Sequence, residues 1–134
     1  VYTKDKKGKK EEFKSDSGKT VDVSMVVLVN GNTASASEIM TGCLKDYKKA
    51  TVVGTTTYGK GIVQTAFSLS DGTGVKITIE DYYLPSGKSI HKVGVDPDVE
   101  IDLPDELKTY VTIPEDEDVQ LQKAIEILKE QLQK

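Results

Sequence analysis

The sequence predicts an α/β fold, and three neighbouring patterns carry that expectation. Val23–Val29 is a nearly continuous apolar run, the mark of a strand buried on both faces. Residues from Ser35 to Ala50 place Ile39, Met40, Cys43, Leu44 and Tyr47 at helical spacing. Thr51-Val52-Val53 is a second, short apolar run. Strand, helix and strand within about 30 residues make a βαβ unit with parallel strands and a right-handed crossover.

The flanking segments follow in order. Val1-Tyr2-Thr3 and Glu12-Phe13-Lys14 bracket the charged run Lys4 to Lys10 and predict a ragged hairpin with a solvated turn. Ser15 to Thr20 reads as a polar loop, and Gly31-Asn32 ends the first core strand. Gly61–Leu69 and Gly74–Leu84 predict two strands of a hairpin joined by Ser70-Asp71-Gly72-Thr73. Pro85-Ser86-Gly87-Lys88 is a further turn, and Val95–Val99 is extended, as a residue before proline requires. From about Asp118, a plausible N-cap, Leu121, Ala124, Ile125, Leu128 and Leu132 form the apolar stripe of an amphipathic helix.

Bulk properties narrow the function. A chain of 134 residues with 37% apolar residues buries one modest core. A net charge of -4 and a pI near 5.1 argue against nucleic-acid binding. Cys43 is the only cysteine, which excludes an internal disulfide, and its place on the apolar helical stripe marks it as a core filler. No run approaches the ~20 apolar residues of a membrane helix, and no signal peptide is visible. The chain opens on Val1 rather than methionine, which points to an excised piece or a processed form.

The segment GTTTYGKG, residues 54–61, raises the chemical question. Gly54, Gly59 and Lys60 match a phosphate-binding loop, but Gly61 stands where that loop needs Ser or Thr to hold magnesium. A phosphate loop must also open a helix, whereas Ile62-Val63 begins a strand-like pattern. Nucleotide binding is therefore disfavoured, and the plain alternative is a turn in which Gly59 and Gly61 need positive φ and Lys60 is exposed. What raises Lys60 above that is the segment Thr33 to Glu38. Both loops follow strands of one βαβ unit, so both emerge at the carboxyl ends of parallel strands, where α/β sheets place their chemistry. Ser35 would start the helix, where the dipole and the following amide favour an oxyanion. Ser35-Ala36-Ser37-Glu38 is equally a capping box, S-x-x-E, and capping is the stronger local reading for both Ser35 and Glu38.

Three stretches, VVLVNGNTASASEI, ATVVGTTTYGKGIVQTAFSLSDG and DYYLPSGKSIHKVGVDPDVEI, together resemble the carboxyl-terminal processing peptidases, the tail-specific serine proteases related in fold to the crotonase and Clp protease group. The resemblance runs from about Val21 to the end. It implies a crotonase/Clp-protease-like βαβ core with added β-hairpins and a C-terminal amphipathic helix, present here as a partial domain. It further implies Ser35 as nucleophile, with Thr33 replacing the family's first serine, Lys60 as general base and Gln64 as support for the lysine.

The chemistry is consistent with that assignment. Serine needs a base to become nucleophilic. The one histidine, His91, lies by a predicted turn, and an imidazole base normally needs a positioned acid. A lysine base must instead be neutral, so a pKa near 10.4 must fall to roughly 7 or 8, about 4 kcal/mol of desolvation. Tyr58, Ile62 and Val63 are the apolar flanks that would supply it, and residues 60, 62 and 64 share one strand face. The backbone amide of Ala36 would serve the oxyanion. Asp96, Asp98, Glu100 and Asp102 read as the solvent side of a strand rather than a calcium site. No metal and no cofactor are expected.

By the resemblance, residues 1–112 are the carboxyl-terminal portion of the protease core and 113–134 a helical segment. A PDZ domain and the glycine-rich turn donating a second oxyanion amide would precede Val1. The substrate would be a protein or peptide cut near its C-terminus, the compartment extracytoplasmic, the assembly a homo-oligomer, and this piece alone inactive. The alternative is a catalytically dead relative acting as a binding or scaffold module.

Overall fold

The computed structural model describes every residue except Ser17, Lys19, Thr20 and Lys134. The polar loop expected at 15–20 therefore lies partly outside the described residues. Among the described residues, nine elements follow in order: β1 (Tyr2–Asp5), β2 (Lys10–Glu12), β3 (Val26–Val29), α1 (Ala36–Asp46), β4 (Thr51–Gly54), β5 (Ile62–Ser68), β6 (Gly74–Tyr83), β7 (Val99–Glu100) and α2 (Val119–Leu132). They form an antiparallel sheet in the order β2-β1-β6-β5 and a parallel sheet in the order β3-β4-β7.

The parallel pair β3 and β4, with α1 between them, is the expected βαβ unit; Val26 lies opposite Thr51 and Val29 opposite Gly54. Val52 and Val53 are fully buried, because β4 has a neighbour on each side. The first strand departs from expectation. It begins only at Val26, and Val23 and Leu28 are exposed. The reason is its place: β3 is an edge strand, so its apolar run is covered incompletely. The extended segment after Pro97 closes the other edge. Its β7 pairs Val53 with Val99 and Gly54 with Glu100, and Asp98 locks it by accepting the Val52 amide at 2.9 Å. Asp96, Asp98, Glu100 and Asp102 all face solvent, as the alternation predicts.

Helix α1 corrects two further expectations. It stops at Asp46, four residues short of Ala50, because Lys48 adopts φ 53°. Its inward face is Glu38, Thr41 and Gly42, while Met40 and Tyr47 are exposed. The buried face is thus rotated off the apolar stripe. Two contacts explain the rotation. Gly42 lies so close to Leu84 that a Cβ there would fall 2.3 Å from a Leu84 methyl, and Glu38 is drawn inward by hydrogen bonds described below.

The hairpin β5–β6 forms as expected, from Ile62 opposite Asp81 to Ser68 opposite Gly74, with a one-residue slip at Val63/Gln64. Hairpin β1–β2 joins the same sheet because β1 also pairs with β6, and the rings of Tyr2 and Tyr83 stack at 5.1 Å. Tyr82, Leu84, Ile90 and Val95 make the core cluster, with Ile39 and Val63 against it. Helix α2 packs on β3 and β4. Gln120 Nε2 donates to the Ile101 carbonyl at 2.7 Å, and Gln131 Nε2 to Thr51 Oγ1 at 2.8 Å.

The start of α2 is a genuine cap: Asp118 accepts the Leu121 amide at 2.9 Å. Replacing Asp118 with alanine leaves that donor orphaned. Urea unfolding of Asp118→Ala is expected to show a loss of about 1 kcal/mol with an unchanged m-value.

Candidate active site at the parallel-sheet edge

The loops that follow β3 and β4 meet at the carboxyl ends of those strands. Their junction is one carboxylate. Glu38 is completely buried. Its Oε2 accepts the Ser35 amide at 2.8 Å and the Lys60 amide at 2.8 Å. Its Oε1 accepts the Gly59 amide at 2.6 Å and the Thr57 hydroxyl at 2.5 Å. The Ser35 and Lys60 amide nitrogens can therefore be no more than twice 2.8 Å apart. Residues separated by 25 positions in sequence are held side by side through their main chains. The Tyr58 amide adds a direct strap to the Thr33 carbonyl at 2.9 Å.

This carboxylate also shows its environment in its acidity. Burial alone would raise the Glu38 pKa. The Thr57 hydroxyl and the amides of Gly59, Lys60 and Ser35 outweigh burial and hold it below the ordinary carboxylate range. The ionised form is the one built into the fold.

Ser35 stands at the N-cap of α1 with φ 60° and ψ -119°, a conformation a non-glycine residue enters only with strain. Strand β3, a turn carrying the strained serine, and helix α1 follow one another here. Ser35 and Glu38 form the expected capping box, closed by the bond from the Ser35 amide to Glu38 Oε2. The Glu38 amide also goes to the Ser35 carbonyl at 2.9 Å. Ala36 follows at the first helical position, and among the described residues its amide has no hydrogen-bond acceptor.

The lysine loop is shaped by two glycines for different reasons. Gly59 has φ 87°, as its turn demands. Gly61 does not have positive φ; it is small because a Cβ there would fall 2.6 Å from the His91 amide nitrogen. The turn at 90–94 backs the loop: the Lys92 amide donates to the Gly59 carbonyl at 2.8 Å, and the Val95 amide donates to Thr57 Oγ1 at 2.8 Å. Lys60 is half-buried and is followed by β5 rather than a helix, so the loop has no phosphate-binding helix end. Gln64 lies on β5, where its Nε2 donates to Thr78 Oγ1 at 3.2 Å. Among the described residues no hydrogen bond joins Lys60 Nζ to Ser35 Oγ or to Gln64.

His91 sits in the turn as expected, half-buried, with Nδ1 unpartnered among the described residues. Cys43 is half-buried, and burial raises its thiol pKa, which leaves it a poor nucleophile. Three features escape the sequence reading: the second role of Glu38, the linking hydroxyl of Thr57, and Tyr82, which is described further below. Only Glu38 carries a sequence signal, an acidic residue one turn after the serine.

The fold is that of a peptidase family. The chain belongs to Peptidase family S41, whose pattern matches residues 1–101. It is 43% identical over 128 residues to the carboxyl-terminal-processing protease of Synechocystis sp., covering 96% of this chain and 30% of that protein. It is 44% identical over 103 residues to the carboxy-terminal processing protease CtpA of Bacillus subtilis, covering 77% of this chain and 22% of that one. Among solved structures, a photosystem II D1 C-terminal processing protease superposes with a TM-score of 0.57 at 51% identity, over 60% of this chain and 22% of the other. The tricorn protease, at 22% identity and a TM-score of 0.65 over 83% of this chain and 11% of its own, shares the fold. The chain thus spans less than a third of the length of these curated relatives.

Glu38→Gln is expected to lower stability by about 2–4 kcal/mol at neutral pH, since it strands buried donors. A carboxyl lowered on folding stabilises fully above its unfolded value, roughly pH 4.3, and loses that contribution as pH falls through the folded value. The gap between wild type and Glu38→Gln should accordingly narrow on acidification, measured by urea unfolding across pH. Separately, Ser35→Gly should be more stable than Ser35→Ala by about 1 kcal/mol, because only glycine relaxes the strained φ.

Proposed function

We propose that this chain carries the nucleophile and base of a Ser–Lys endopeptidase and forms the carboxyl-terminal portion of its protease domain. The observation that supports this most is the shared Glu38 oxygen, which brings the main chains of Ser35 and Lys60 together at the sheet edge. Ser35 Oγ attacks the substrate carbonyl carbon as Lys60 Nζ takes the hydroxyl proton. The developing oxyanion is met by the Ala36 amide at the start of α1. Lys60 then returns the proton to the leaving amine, and a water activated by the same amine hydrolyses the acyl ester. Gln64, on the strand that leaves Lys60, steadies the amine without adding charge. No metal or cofactor enters these steps.

On this reading the substrate is a protein or peptide cut near its C-terminus. A PDZ domain upstream reads that terminus, and the enzyme works outside the cytoplasm. The described residues contain no helix long and apolar enough to cross a membrane. Phe67, Val75, Ile77 and Ile79 leave the β5–β6 hairpin with exposed apolar surface, which supports self-association into a homo-oligomer.

The decisive assay uses the full-length enzyme on a peptide bearing a free C-terminus. Lys60→Ala is expected to cut kcat/KM by about 10³-fold or more while the melting temperature holds within a few degrees. Retained turnover in that variant would overturn the assignment, and no turnover in the wild type would favour a scaffold role. The isolated 134-residue chain should be inactive in the same assay.

A further inference from the structure

Resting on the Ser–Lys reading, we infer that Tyr82 is a positioning residue for the Ser35–Lys60 pair, its hydroxyl fixing the lysine's peptide group beside the serine. Tyr82 is almost wholly buried, in the core cluster with Leu84, Ile90 and Val95. Its ring reaches out of that cluster, and the hydroxyl donates to the Lys60 carbonyl oxygen. Its own amide donates to the Gly61 carbonyl at 3.1 Å. One residue of β6 thus holds two successive carbonyls of the lysine loop.

The other backbone group of the same residue is already taken. The Lys60 amide is bound by Glu38. Lys60 therefore has its N–H fixed from α1 and its C=O fixed from β6, which leaves its Cα with little freedom to rotate. The direction in which the side chain departs is set by these two bonds.

Tyr82 also neighbours the serine. Burial raises the phenol's pKa; a hydrogen-bonding contact with the Ser35 side chain opposes the rise, and the Glu38 charge adds to it. The phenol proton is given to the Lys60 carbonyl oxygen. The tyrosine hydroxyl fixes the carbonyl of Lys60, whose amide shares Glu38 Oε2 with the Ser35 amide. Phenylalanine would fill the same core volume but abandon the Lys60 carbonyl.

The experiment uses the full-length enzyme and Tyr82→Phe, with active sites counted by stoichiometric reaction of the serine with a fluorophosphonate. Per active site, kcat should fall by about 10- to 100-fold with KM within twofold. Ala124→Gly, on α2 and remote from the site, serves as the comparison for simple loss of stability; it should lower the melting temperature without changing kcat per active site. If Tyr82→Phe keeps kcat within twofold of wild type, or loses rate only in proportion to its loss of countable sites, the inference is wrong. Ser35→Ala and Lys60→Ala run beside it separate the two levels. If either retains turnover, the Ser–Lys reading itself fails; if both are dead and Tyr82→Phe is unimpaired, only the role of Tyr82 fails.

Discussion

A buried carboxylate with four hydrogen-bond donors organises this molecule. Glu38 leaves α1 on its inward face and binds three amides and a hydroxyl drawn from two loops. A desolvated negative charge is tolerable only when fully paired, so each of these donors is required by the others. Take one away and the remaining charge is left under-compensated in a place water does not reach. That mutual dependence is why the turn after β3 and the turn after β4 adopt one relative arrangement rather than several. It also explains why α1 leaves part of its apolar stripe, Met40 and Tyr47, exposed: satisfying the charge takes precedence over burying a thioether.

The lysine loop has a second geographical role. It is the passage by which the chain leaves the parallel sheet at Gly54 and enters the antiparallel sheet at Ile62. A residue on such a passage would normally be free to drift with either layer. Here the parallel layer holds it through α1, and the antiparallel layer holds it through β6. The turn at 90–94 closes the third side through the Gly59 carbonyl and the tight fit of Gly61 against His91.

Much of this was legible in the residues. The parallel βαβ unit, the two hairpins and the capped final helix all follow from periodicity and turn chemistry, because each is specified by neighbours within about a dozen positions. Ser35 and Lys60 were legible as candidates because both loops must emerge at one sheet edge. What was not legible depends on partners distant in sequence. The partial exposure of Val23 and Leu28 follows from β3 lying at an edge, which no local pattern encodes. The phase of α1 was misread because the apolar stripe was taken to face inward, whereas Gly42 against Leu84 and Glu38 against the lysine loop decide it. The strain at Ser35 and the reach of Tyr82 to Lys60 exist only once the strands are in register.

The grip of Glu38 on its two loops is mostly a grip on peptide groups. Ser35, Gly59 and Lys60 are each held by the N–H that any residue but proline possesses. The frame is therefore largely indifferent to which side chains it displays at positions 35 and 60. Such a separation of scaffold from reagent lets chemistry be lost, altered or regained by single replacements without first dismantling the architecture, so the same cradle can serve catalysts and inert descendants alike.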